Sequence, residues 1–99
     1  MNNTPILQNG TVSSASISDS ASKVLSANSG RQHATLINTG SKIVYLALNA
    51  SGTGLASGKG ISLNANGGSY EITTNNLYLG NIYAICASGE SSTIAISEN

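Results

Sequence analysis

Side chains that do chemistry are few and scattered in this chain of 99 residues. His33 is the only histidine, Asp19 the only aspartate and Cys86 the only cysteine, while Glu71, Glu90 and Glu98 lie far apart in sequence. A Ser-His-Asp triad can be drawn on paper from Asp19, His33 and any of 17 serines. Neither a nucleophile-elbow pattern nor an oxyanion motif accompanies it, so nothing would activate the hydroxyl or hold the developing charge. One His and one Cys without a nearby carboxylate cluster do not fill a zinc site, and no D-x-D-x-D-G loop provides a calcium cradle. The stretch "GTGLASG" is glycine-rich, but it matches neither phosphate-loop spacing and no helix follows it. Cys86 sits in the apolar run "IYAICA" and reads as a small buried hydrophobe. This inventory predicts no enzymatic activity, no metal and no cofactor.

The elements around these residues read as strands. Nearly every periodic segment is too short for a helix and ends at Gly or Asn, and the apolar residues are mainly Ile, Leu, Val and Tyr, which suit a pleated surface. The pattern predicts an all-β fold with strands at 11–17, 22–27, 33–39, 42–48, 59–64, 68–73, 76–80, 82–87 and 92–97. "NTGS" at 38–41 reads as a hairpin turn, "NANGG" at 64–68 as a second turn that tolerates positive φ, and "ASGESS" as the link between the last two strands. The segment "NASGTGLASGKG" at 49–60 reads as a mobile surface loop or Ω-loop.

Two strands depart from simple in/out alternation. In "KIVYLAL" Ile43, Tyr45 and Ala47 point one way and Val44, Leu46 and Leu48 the other, and "IYAICA" behaves alike, so both faces want cover. Either the strands are central between layers, or their outer faces enter a subunit interface. The likeness of "VYLALNASG" to "IYAICASG" suggests equivalent strands in two sheets. Tyr45, Tyr70, Tyr78 and Tyr83 read as packing residues with hydrated tips. Arg31 and Lys42 flank the "HATLINTGS" stretch, where they are placed to bridge subunits.

Residues 1–30 differ from the rest: Ser and Asn dominate, and Pro5 cannot donate to a ladder. This predicts an extended or flexible N-terminal arm at 1–20, either a disordered tail or a segment that orders on a neighbour, ahead of a β-sandwich domain at 21–99. Ile6, Leu7, Val12 and Ile17 are its candidate docking residues, because extended segments add to exposed sheet edges.

Composition bounds the partners. Four basic and four acidic residues sum to zero net charge, and charged residues are only 8% of the chain. Neither nucleic acid nor an anionic membrane is attracted by such a balance. Solubility rests on 17 Ser, 12 Asn, 8 Thr and 11 Gly, a surface that packs against protein with few charges to desolvate. There is no Trp, no Phe and no pair of cysteines to strengthen a small core, so self-association is the remaining source of buried surface. The start "MNNTPILQNG" is not a signal peptide and no stretch reaches membrane-spanning length, which predicts synthesis in a cytoplasm.

The order "GRQHATLINTGSKIVYLAL", a Gly/Ser loop, "GISLNANGGSYEI" and "NLYLGNIYAICASGESSTIAISEN" resembles small virion proteins of tailed bacteriophages of the capsid decoration, cement or head-fibre type. The likeness covers about residues 30–98 and rests on Arg31 before a strand, "NTGS", the Val-Tyr-Leu strand, "GGSYE", and "GNIYAI" followed by "SG". It implies an antiparallel β-sandwich or jelly-roll module, a homotrimer, no enzymatic activity, a virion location after synthesis in the host bacterium, and the major capsid protein as partner. The competing reading is a receptor- or glycan-binding module of a head fibre, tail fibre or spike, with the 49–60 loop and the tyrosines facing a host-surface glycan. A third is an assembly accessory left out of the finished particle.

Overall fold

The protein is described by a computed structural model over residues 10–99. It is all-β, with no helix among the described residues and therefore none long and apolar enough to cross a membrane. The described residues form eight strands in order: β1 (Thr11–Ile17), β2 (Ser22–Leu25), β3 (Ala34–Asn38), β4 (Val44–Ala47), β5 (Ile61–Leu63), β6 (Ser69–Ile72), β7 (Ile82–Ile85) and β8 (Ser92–Glu98). They form two four-stranded antiparallel sheets, β1-β8-β3-β6 (sheet A) and β2-β7-β4-β5 (sheet B).

The pairing is nested. β4 pairs with β5, β3 with β6, β2 with β7 and β1 with β8, and the β3–β8 and β4–β7 ladders join these pairs into sheets. Every consecutive pair of strands except β4 and β5 lies in different sheets. The stretch 38–41 is accordingly not a hairpin turn, as its sequence suggests, but a crossing from sheet A to sheet B. It lies against the start of β8, where Thr39 N donates to Thr93 O at 2.9 Å. A Cβ on Gly40 would overlap Ser92 Oγ and come within 2.8 Å of the Thr93 amide nitrogen, so glycine is required there. The 64–68 turn does use positive φ, at Asn66 (60°) and Gly67 (125°).

One apolar cluster unites the sheets. Ile17, Leu36, Ile72, Ile94 and Ile96 come from sheet A, Val44, Leu46, Leu63, Ile82 and Ala84 from sheet B, and Cys86 joins them from just beyond β7. The alternation that buries Leu36 leaves Thr35 on the other face, and the same period-2 logic buries Val44 and Leu46 while Tyr45 stays half-exposed. Asn38, at the end of β3, is the polar tie through this core. Its Nδ2 donates to Lys42 O at 2.7 Å and Leu63 O at 3.0 Å, and its Oδ1 accepts from Gly40 N at 3.1 Å and Ser92 Oγ at 2.7 Å. A buried amide with all these partners joins the two sheets at one end without an unmet group.

Two further sequence expectations need correction. β4 and β7 are neighbours in one sheet rather than counterparts in two, with Tyr45 opposite Ile85 and Ala47 opposite Tyr83. Residues 76–80 are not a strand but a loop, because their backbone carbonyls turn towards Arg31 instead of a ladder.

Candidate docking surfaces

The titratable residues are each engaged singly. His33 Nε2 lies 2.8 Å from Glu71 Oε2 across the β3–β6 edge, both side chains well exposed. Asp19 Oδ2 accepts from Gly89 N at 2.9 Å, ahead of β8, whereas His33 exchanges backbone hydrogen bonds with Asn99 just after β8. Asp19 and His33 are thus held near opposite ends of a seven-residue strand, about 20 Å long, and no triad forms from them. Lys42 Nζ and Glu90 Oε2 stand 4.0 Å apart on the surface. Among the described residues no three of His, Cys, Asp and Glu gather around one point. Cys86 is buried and its Sγ contacts Ile17 O at 3.8 Å. Burial pushes its thiol pKa up, with smaller contributions from the negative charges of Glu90 and Asp19.

Arg31, which its place in the sequence suggests as a bridge between subunits, is instead wholly interior. Its Nε donates to Glu98 Oε2 at 2.7 Å, Nη1 to Tyr78 O at 2.7 Å and Gly80 O at 3.1 Å, and Nη2 to Ser26 O at 2.8 Å. Guanidinium carries a planar fan of donors, and here it gathers the carbonyls of two loops and the end of β8. Asn81 extends the same knot, accepting from Ala27 N at 2.7 Å and donating to Ala50 O at 3.1 Å. No signal in the sequence marks Arg31 as buried, since an arginine between Gly30 and Gln32 looks like any loop cation.

The surfaces left to meet a partner differ in kind. The outer face of sheet B presents Tyr45 and Ala47 from β4, Tyr83 and Ile85 from β7, and the partly exposed Ile43 before β4. These are cross-strand neighbours and form one apolar patch. Among the described residues no third layer covers it, although Gly52 of the 49–60 loop lies against Tyr83, where an added Cβ would sit 3.0 Å from Cδ2. That loop is a run of tight turns, with Asn49 Oδ1 accepting from Gly52 N at 2.6 Å and Leu55 N donating to Gly52 O at 3.1 Å. An open groove of about 280 Å³ runs between it and the β4–β5 edge, lined by Leu46, Leu48, Leu55 and Ile61. The outer face of sheet A carries mainly small residues on β1 and β8, with Val12, Ser14 and Ser16 of β1 in register with Ser97, Ala95 and Thr93 of β8, and adds Ile37 of β3 and Glu71 of β6.

Of the four residues singled out for docking, Ile6 and Leu7 lie outside the described residues. Val12 is 83% exposed, on the edge strand of sheet A. Ile17 is 1% exposed and its side chain packs in the core cluster. Residues 11–17 of the expected arm form β1, paired along their whole length with β8. Compared with protein-family models, curated proteins and solved structures, the chain shows no match.

Proposed function

We propose that this protein is a structural component of a tailed-phage virion, a capsid decoration protein bound as a homo-oligomer to the major capsid protein on the outer surface of the head. The observation that carries this reading is the partly exposed apolar patch of Ile43, Tyr45, Tyr83 and Ile85 on sheet B, in a chain with only 8% charged residues. Exposed apolar patches on small proteins mark surfaces that meet other proteins. The fold reading belongs with it: two sheets over one core support a β-sandwich, and the nested pairs β1–β8, β2–β7, β3–β6 and β4–β5 favour a jelly-roll connectivity, an architecture frequent in capsid and lectin domains. Fold alone assigns no role; the patch and the phage resemblance direct it towards a capsid.

In this mechanism the chain works by being buried. A decoration protein that binds only the assembled shell stabilises it by mass action, and repetition on a symmetric lattice adds avidity to weak single contacts. The test is to mix purified protein with undecorated phage heads and measure cosedimentation. Wild type saturates the heads, and Tyr45→Lys or Ile85→Lys, at half-exposed positions, lowers occupancy at least tenfold while retaining the wild-type circular dichroism. Absence of wild-type uptake, or undiminished uptake by both variants, overturns the reading; so does specific glycan capture by protein that ignores heads.

A further inference from the structure

We propose that β1 is a pairing edge for a second copy of this chain, so that two sheets A join through antiparallel β1–β1 contact into one continuous eight-stranded sheet. The four sheet edges of the molecule differ in how they discourage such pairing. β2 carries Lys23 and a bulge between Lys23 and Leu25, β5 has only three residues, and β6 carries Glu71. These are the devices by which proteins blunt an edge. β1 has none of them: it is seven residues long, "TVSSASI", without charge, proline or bulge.

The partner is argued from the edge itself. Its row of backbone donors and acceptors is complementary to itself under a two-fold rotation. With the axis at Ser14, Val12 faces the partner subunit's Ser16, Ser13 faces the partner subunit's Ala15, and Thr11 faces the partner subunit's Ile17. This register keeps odd and even residues on the same faces in both copies, so the core-side face continues across the joint. Thr11, Val12, Ser13 and Ser14 are exposed, leaving room on both sides.

A two-fold edge closes as a dimer, not as the trimer that the phage resemblance implies, and solution mass separates them. Light scattering at 50–100 µM, roughly the range in which a micromolar dimer is filled, is expected to give twice the monomer mass. Ser14→Lys sets like charges opposite each other at the axis and is expected to return a monomer with an unchanged far-ultraviolet spectrum. Ser14→Cys is expected to form an intersubunit disulfide on mild oxidation, whereas Ser16→Cys, facing the partner subunit's Val12, is not. A monomeric or trimeric wild type, a Ser14→Lys variant that stays dimeric, or failure of the Ser14→Cys link overturns the proposal. None of these measurements involves phage heads, so a dimer that ignores heads removes the decoration role and leaves this interface standing.

Discussion

Arg31 donates from Nε to Glu98 Oε2 at 2.7 Å with no part of its side chain exposed, while the Glu98 side chain keeps 15% exposure. A cation in that position survives only because the carboxylate and three loop carbonyls surround it. Arg31→Ala leaves a cavity and takes a donor from all four acceptors, of which Glu98 Oε2 keeps Asn28 Nδ2 at 3.3 Å. Urea unfolding is expected to show a loss of about 3–5 kcal/mol. Glu98→Gln keeps an acceptor for Nε and is expected to cost less than Arg31→Ala.

Asn38 makes the corresponding tie at the other end of β3. Asn38→Ala leaves Lys42 O, Leu63 O, Gly40 N and Ser92 Oγ without this partner. With about 1–3 kcal/mol for each buried group left unmet, a loss of at least about 2 kcal/mol is expected. That lowers the melting temperature by at least about 8 °C in a domain of this size, read by differential scanning calorimetry.

The 49–60 loop permits a paired measurement. Gly52 (φ 76°) and Gly54 (φ 81°) share the same left-handed backbone, but only Gly52 touches a side chain, that of Tyr83. Gly54→Ala is expected to cost the backbone term alone, about 1–2 kcal/mol. Gly52→Ala is expected to cost more, because its Cβ presses on Tyr83, and the difference in chemical-denaturation midpoint reads that contact.

Cys86 supplies a pH dependence. Its folded-state pKa is raised from 9.0 by burial first, then by Glu90 and Asp19. A thiol that holds its proton more tightly in the folded state contributes stability that is intact below the unfolded value and declines as pH rises through it, because the unfolded chain then releases the proton. Unfolding free energy measured from pH 8 upward is expected to fall more steeply for wild type than for Cys86→Ala. Native protein is expected to react slowly with a thiol reagent until unfolded.

Local structure was legible in the sequence where side-chain period and turn chemistry set it. The strand expected at 11–17 is β1, and Asn66 and Gly67 take the positive φ read from "NANGG". What the sequence leaves open is partnership between distant strands. "NTGS" has hairpin chemistry, yet β3 and β4 enter different sheets, because turn residues specify a reversal and not the sheet that receives it. "NLYLG" has strand-like residues, but its carbonyls serve a guanidinium 47 residues away in sequence, which no local pattern announces. Of the candidate surfaces, the sheet B patch was readable from the two-faced "KIVYLAL" and "IYAICA". The β1 edge was not, since being an edge depends on which strands pair.

The nested pairing carries a consequence for how the chain assembles. Like brackets in an expression, β4–β5 encloses only residues 48–60, and each outer pair encloses the pair before it until β1–β8 spans residues 18–91. Closing from the innermost bracket outward keeps every successive closure short, whereas starting from the outermost loses the entropy of the whole span at once. In that order β1 is the last strand to arrive, and its seven-residue ladder with β8 and the buried Ile17 complete the fold.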